Sequence, residues 1–296
     1  MKDKNCACKG IRTCLLCDDS KVESFYSENI LEYIYCWKCG DKAYIKHQFD
    51  NHTCGNANQS EMIQFISIDG IFLQPDVLTE DEEIKLIQSI DSYDWVDSQS
   101  GRRKQDFGPK INFKKKKVNF SSFHGLPSID IKLLDTIKRD RLRNDPNYSR
   151  FTSSTLENDS SDSILCNFKT VEICHLEYCP ERGSSIDPHF DDFWIWGERL
   201  VTLNLNSQTV LTLTLKPNPE QKVLNYCVRI PLPPRSLLVL YGDSRNRYEH
   251  SIRPLDIIDR RLAITYRELP SSFLCTSHDD YNRIGKEFIM RSENLI

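Results

Sequence analysis

The stretch Asp187-Pro-His189-Phe-Asp191-Asp192 carries the strongest chemical signal in the chain. On an extended strand, side chains two residues apart share a face, so His189 and Asp191 would present one imidazole and one carboxylate to the same point. A second histidine would complete a two-histidine, one-carboxylate triad, the donor set that suits non-haem Fe(II) and leaves coordination positions open. His250, 61 residues after His189 and directly behind Tyr248-Glu249, is the best candidate. H-x-D alone is common and has little weight by itself. Arg261-Leu-Ala-Ile-Thr-Tyr-Arg267 begins 11 residues after His250. Its two arginines are an even number of positions apart on an apolar strand and so lie on one face. Arginine is costly to bury unless paired. An inward pair would suit a dianion, because guanidinium binds carboxylate in a two-point fork. An outward pair would be ordinary strand-edge charge.

Cysteines form a second constellation. Seven of the twelve fall before residue 55: Cys6, Cys8, Cys14, Cys17, Cys36, Cys39 and Cys54. The C-x-C and C-x2-C spacings lie in the range of zinc ligands. The preferred reading is a single closed, structural zinc held by Cys14, Cys17 and two of Cys6, Cys8, Cys36 and Cys39. His47, His52 and Cys54 are spare ligands. Two sites, an iron–sulfur cluster or a thiol-rich tail without metal are the alternatives. The five remaining cysteines are scattered singly, as small buried hydrophobes are.

The stretch containing Arg102, Arg103, Lys104, Phe107, Lys110, Phe113 and the lysines at 114–117 is basic and interleaved with aromatics. It reads either as a solvated loop face or as a substrate-recognition lid, where the rings would stack on a base or pack on a peptide. Trp194 and Trp196 would share a face on a strand. Both suit a core, and Trp194 could instead meet a methylated ammonium.

These groups need a scaffold. Runs at 169–178, 200–206, 210–216, 226–232, 236–241 and 261–268 are short, rich in Val, Leu, Ile, Thr and Tyr, and punctuated by Pro, Gly, Asn and Asp. They predict the strands of a sandwich or barrel. Two further extended runs flank Gly70. Thr79 with Glu82 forms a capping box before Ile84, Leu86, Ile87 and Ile90, which share one helical face; Trp95 is expected to close that element. Ser128 offers a cap for a second helix carrying Ile131, Leu134 and Ile137. A polar, exposed loop or hairpin is expected over 98–117, a low-complexity loop over 151–163 and a short helix over 279–291.

With 296 residues and 34.6 kDa, the chain can hold one large domain or a domain plus a small module. Hydrophobic residues at 39% permit a buried core. A net charge of −4 excludes a generally basic nucleic-acid binder, though not a local basic patch. The longest apolar run, 237–241, is far below the roughly 20 residues that a membrane span needs. The first residues show no apolar signal segment, so a cytoplasmic and nuclear protein is expected.

H-x-D, a distal histidine and R-x5-R in that order resemble the AlkB family of Fe(II)- and 2-oxoglutarate-dependent dioxygenases. The runs CACKGIRTCLLC, SQSGRRKQDFGPKINF, YCPERGSSIDPHFDDFWIWGERLV and IPLPPRSLLVL extend the resemblance from residue 6 to about 268, with 151–163 and 207–225 diverging. The resemblance implies a mainly β, α+β fold whose core is a double-stranded β-helix, or jelly roll. Its implied organisation is a cysteine-rich, metal-binding module over 1–60, an extension and lid over 61–150, the core over 164–270 and a C-terminal helix over 271–296. It implies iron on His189, Asp191 and His250, the distal carboxylate of 2-oxoglutarate on Arg261, Arg267 near the metal-chelating carboxylate, and Tyr178 hydrogen-bonded to the cosubstrate. The family also uses an asparagine at the position occupied here by Leu176. The implied reaction consumes O2 and 2-oxoglutarate, yields succinate and CO2, and removes an N-methyl group as formaldehyde. A methylated protein such as actin, modified on monomethyl-lysine, is the expected substrate, with N6-methyladenine in DNA as the alternative. A catalytically silent, zinc-containing interaction protein is an alternative of another class. A prolyl hydroxylase or cupin-like isomerase fits less well, because neither calls for the second arginine.

Overall fold

Branched and aromatic side chains fit a pleated surface, and the runs rich in them become strands. In a computed structural model of the chain, the described residues are 6, 8–9, 12–20, 30–54, 63–142, 163–215 and 226–296. They contain sixteen strands: β1 (Leu31–Cys36), β2 (Lys42–Ile45), β3 (Phe65–Ser67), β4 (Ile71–Gln74), β5 (Val96–Asp97), β6 (Arg103–Phe107), β7 (Lys110–Asn112), β8 (Lys117–Asn119), β9 (Glu172–Tyr178), β10 (Ile186–His189), β11 (Leu200–Leu205), β12 (Thr209–Leu215), β13 (Tyr226–Leu232), β14 (Ser236–Leu240), β15 (Tyr248–Ile252) and β16 (Arg261–Arg267). The loop expected over 151–163 lies, except for its last residue, outside the described residues.

Fourteen of the strands form two seven-stranded sheets, ordered β10-β15-β12-β13-β1-β2-β3 and β4-β14-β11-β16-β9-β6-β5. From β9 onward successive strands cross between the sheets, apart from the hairpin β12–β13, which stays in one. Strands β9 to β16 therefore wind as a double-stranded β-helix, four in each sheet. Among the named ladders only β1 on β13 is parallel.

Strand parity divides the apolar residues between two cores. On β16, Leu262, Ile264 and Tyr266 face outward and pack beneath two helices, α1 (Glu80–Asp91) and α2 (Ser128–Asp140), through Leu86, Ile90, Leu134 and Ile137. On β14, Leu237 and Val239 join that outer core, whereas Leu238 and Leu240 point between the sheets. The inner core includes Leu211, Leu213, Val228 and Ile230 from the opposite sheet.

The expected capping box begins α1: Thr79 Oγ1 accepts from the Glu82 N–H at 3.2 Å, and the Glu82 carboxylate accepts from the Thr79 N–H at 2.8 Å. Trp95 lies beyond the helix end and donates its indole N–H to Asp91 at 3.1 Å. Ser128 is the first residue of α2, not its cap. Its N–H donates to the carbonyl of the last residue, Ile296, at 2.9 Å, so the C-terminus satisfies this helix start.

One expectation of organisation changes. The stretch 98–117 is not simply an exposed loop: β6 is a full member of the sheet, with Arg103 paired in register to Glu177 and Phe107 to Ile173. Only the β7–β8 hairpin projects from it. The cysteine-rich N-terminal stretch, too poor in apolar runs to build a core alone, rests on a host surface. β1 and β2 extend the barrel's sheet, and Tyr33, Tyr35, Ala43 and Ile45 are buried in the barrel's inner core. A short cysteine-rich segment has too little apolar surface for a core of its own, and it borrows one. After α3 (Gly242–Asn246) and α4 (Ser271–Leu274), the C-terminal helix is a π turn, Tyr281–Gly285, running into α5 (Lys286–Ser292). Among the described residues no helix is long and apolar enough to cross a membrane.

Candidate active site

The inward positions of both sheets line one cavity. Tyr178 and Leu176 come from β9, Thr202 from β11, Arg261, Ala263, Thr265 and Arg267 from β16, and His189 and His250 from the facing sheet. The even spacing of the R-x5-R motif thus places both arginines inside.

His189 and His250 are direct partners in the β10–β15 ladder, with ring centroids 4.2 Å apart. Asp191 lies just past the end of β10, so the carboxylate reaches the histidines from the following loop rather than from the strand itself. One donor atom from each of the three lies within 4.8 Å of the others. His189 Nε2 is 3.6 Å and His250 Nε2 3.9 Å from Asp191 Oδ1.

The surroundings fix the state of each donor. His189 Nδ1 lies 2.8 Å from the carbonyl of Asp187. A carbonyl can only accept, so Nδ1 carries a hydrogen and Nε2 is the atom turned toward Asp191. Burial and the neighbouring His189 push the pKa of His250 down to about 3, which keeps that ring neutral. Burial would raise the pKa of Asp191, but Arg267 and the two histidines outweigh it and hold it well below the usual carboxylate range. Arg267 Nε donates to Asp191 Oδ2 at 2.8 Å, leaving Oδ1 to face the histidines. Arg267 also donates to Glu172 at 2.7 Å and lies over the Trp196 ring at 5.2 Å. Two imidazoles and one ionised oxygen converge, and the ligand carboxylate is fixed from behind. That donor set fits Fe(II) and leaves room for further ligands.

Arg261 is set differently. It is 2% exposed, and among the described residues it forms no ion pair. Its Nε donates to Asn204 Oδ1 at 2.6 Å, and its guanidinium lies 4.8 Å from the centre of the Tyr178 ring. Burial lowers its pKa. A buried cation without a carboxylate, in the same cavity as the triad, is a receptor for an anionic ligand. The sequence reading missed Asn204. Its Nδ2 is ringed by the carbonyls of Ser207, Leu232 and Pro233 at 2.9–3.1 Å, which turns Oδ1 toward Arg261. The available signal was a polar residue at an inward position of the apolar run LVTLNL.

Of the candidate substrate residues, only Arg102 adjoins this site, 5.7 Å from the centre of the Tyr178 ring. Arg103 makes a two-point ion pair with Glu177 and lies over Trp95. Lys104 pairs with Asp106 at 2.5 Å. Phe107 packs edge-on to Tyr93 and His175. Trp194 packs edge-on to Phe273 from a turn, so it and Trp196 do not share a strand face. A larger surface groove of about 660 Å³ lies elsewhere, beside Trp37, Leu255 and Ile258, and contains none of the triad.

The early cysteines form two groups rather than one. Cys6, Cys8, Cys14 and Cys17 come together, as do Cys36, Cys39, His52 and Cys54. His47 belongs to neither. In the first group Cys6–Cys14, Cys6–Cys17 and Cys14–Cys17 are 3.5, 3.3 and 3.4 Å apart between sulfurs. A disulfide would be about 2.05 Å, whereas thiolates on a tetrahedral zinc at about 2.3 Å sit a little under 4 Å apart. The pairs divide because their host surfaces differ. The Cys14 turn docks on the loops before β6 and β10, through Leu15 N–H to the Gly183 carbonyl at 3.0 Å and Gly101 N–H to Cys8 Sγ at 3.0 Å. Cys36 ends β1 and is fixed in the sheet.

No family model matches the chain. It is 36% identical to a human protein named "Alpha-ketoglutarate-dependent dioxygenase alkB homolog 4", over 91% of this chain and 88% of that protein. It is 34% identical to the Mus musculus protein of the same name, over 92% and 89%. A Caenorhabditis elegans protein named "DNA N6-methyl adenine demethylase" is 32% identical over 97% of this chain and 94% of that one.

Proposed function

The chain belongs to the AlkB family of 2-oxoglutarate-dependent dioxygenases, and we propose that its reaction is oxidative N-demethylation of a macromolecule. The observation that carries this reading is the buried, carboxylate-free Arg261 in one cavity with the His189–Asp191–His250 triad. Fe(II) bound to the triad would supply the activation of O2 that couples decarboxylation of 2-oxoglutarate to hydroxylation of an N-methyl group, which then leaves as formaldehyde. The protein's share is positioning. Arg261 receives the distal carboxylate of 2-oxoglutarate, with Asn204 fixing its Nε and Tyr178 covering its face. Arg267 holds Asp191 Oδ2, so that Oδ1 alone turns to the metal. Leu176, Leu200, Leu238 and Leu240 keep the cavity apolar. Leu176 cannot donate a hydrogen bond as the family's asparagine does.

For the substrate, N6-methyladenine in DNA is the better supported reading. The hairpin β7–β8 exposes Lys110, Lys114, Lys115, Lys116 and Lys117. It follows directly from Phe107, which pairs with Ile173, next to the Glu172 that holds Arg267. A lysine-rich hairpin that follows a strand paired beside Glu172 suits a phosphate backbone, and the worm relative's name supports it. This reverses the order expected from sequence, where the acidic net charge of −4 favoured protein. That charge keeps monomethyl-lysine in a protein such as actin as the second reading.

We assign the Cys6, Cys8, Cys14 and Cys17 group a structural zinc, closed by four thiolates. The substrate test is formaldehyde release from an N6-methyladenine oligonucleotide and a monomethyl-lysine actin peptide in parallel. Formaldehyde from the oligonucleotide, falling steeply with salt, supports the DNA reading. Formaldehyde from the peptide alone overturns it in favour of protein.

A further inference from the structure

Cys36, Cys39, His52 and Cys54 share no ligand atom with the first cysteine group. We propose that they form a second, independent zinc centre. Cys36 Sγ and Cys54 Sγ are 3.4 Å apart. His52 Nε2 is 3.2 Å from Cys39 Sγ and 3.4 Å from Cys54 Sγ. Four donors at these separations surround one point at the wall of the surface groove, the number and types of a Cys3His structural site.

The local backbone is built for this convergence. Cys36 ends β1, and the N–H groups of Cys39 and Gly40 both donate to its carbonyl at 3.1 Å. Gly40 completes the turn at φ 80°, a left-handed conformation that glycine adopts without strain. The tight C-x2-C turn therefore brings two sulfurs to one side. The His52 ring stacks on Tyr44 with centroids 3.8 Å apart and planes 21° from parallel, which aims Nε2 at the sulfurs. The Tyr44 hydroxyl donates to Cys39 Sγ at 3.5 Å, a bond that a thiolate accepts best. Three soft thiolates and an imidazole with no carboxylate select zinc over the oxygen-loving cations. Binding releases the thiol protons and changes no oxidation state. The centre fastens the segment 52–54 to the turn end of the β1–β2 hairpin, whose two strands are flanked by β13 and β3.

The test is zinc content per chain. It is run on the full-length His189→Ala/Asp191→Ala variant, so that no metal enters the triad. Two zinc ions per chain are expected. Adding Cys36→Ser/Cys54→Ser should leave one, and Cys14→Ser/Cys17→Ser should independently leave one. A zinc content that Cys36→Ser/Cys54→Ser leaves unchanged, whether one or two per chain, overturns the proposal; a content that only Cys14→Ser/Cys17→Ser leaves unchanged overturns the first centre instead. Because serine variants can misfold, the unaltered cysteines are also footprinted by alkylation. Cys54 is exposed yet should resist labelling until a chelator strips the zinc. Equal labelling with and without zinc, or a Cys36–Cys54 disulfide in the zinc-replete chain, sinks the second centre.

Discussion

The barrel's triad and the two cysteine-rich groups each gather ligand atoms around a point, but they are built in opposite ways. The cysteine-rich groups each gather four donors, mostly sulfur, from short turns and segments, one docked on the loops before β6 and β10 and the other at the end of β1. The triad stops at three donors, nitrogen and oxygen, and faces a cavity whose far end holds a buried cation. Closure gives a staple, and an open side gives chemistry. The two arginines of β16 repeat the lesson. Arg267 is neutralised by Asp191 and Glu172, whereas Arg261, among the described residues, has no carboxylate partner, which is the basis for proposing it as the cosubstrate's anchor.

The largest effect should come from breaking the open side. Asp191→Ala removes a candidate ligand and leaves Arg267 paired with Glu172 alone. Turnover of 2-oxoglutarate should fall by more than about 100-fold with an unchanged far-UV circular dichroism spectrum. Breaking a closed group should act on stability instead. Cys14→Ser is expected to lower the Tm by on the order of 10 °C, with residual turnover below that Tm still obeying the wild-type KM for 2-oxoglutarate. If the KM moves with it, the two regions are not separate in function.

Within the cavity, Arg261→Ala should raise the KM for 2-oxoglutarate about 10- to 100-fold, the worth of a lost charge-assisted pair. Steady-state succinate assays at varied 2-oxoglutarate would show it, and an unchanged KM removes Arg261 from the account. Asn204→Ala should do the same on a smaller scale, roughly 2- to 10-fold, because it only frees the arginine to move. The smallest effect concerns pH. The pKa of His250 drops to about 3 in the fold from an ordinary 6.5, so the unfolded chain takes up the proton first. Stability of the metal-free protein should therefore be intact above pH 6.5 and decline as pH falls below it, while His250→Asn should flatten that slope in a thermal-melt series.

The sequence carried the triad and the arginine pair well, because ligand chemistry and strand parity are both local rules. His189, His250, Arg261 and Arg267 meet in one cavity because each holds an inward position on its strand. The capping box at Thr79 was legible for the same reason. Long-range pairing was not. Nothing near Leu31 signals that β1 will lie parallel to β13, nearly two hundred residues away. The charged alternation RKQDF hid a sheet strand because its partners, Glu177 for Arg103 and His175 for Gln105, sit on β9. The division of the cysteines likewise depended on which surface each C-x2-C turn would rest upon. Asn204 was hidden because its role is defined by three carbonyls and an arginine that are brought together only in the fold.

The most direct test of the central claim follows 2-oxoglutarate into the cavity. Anaerobic protein loaded with one Fe(II) per chain is titrated with 2-oxoglutarate while the visible metal-to-ligand charge-transfer band is recorded. The band should appear in the wild type, be absent in Asp191→Ala, and require about 10- to 100-fold more 2-oxoglutarate in Arg261→Ala. Iron-loaded wild-type protein that develops no band, or an Arg261→Ala titration that overlays the wild type, would contradict the assignment of this cavity as the cosubstrate site.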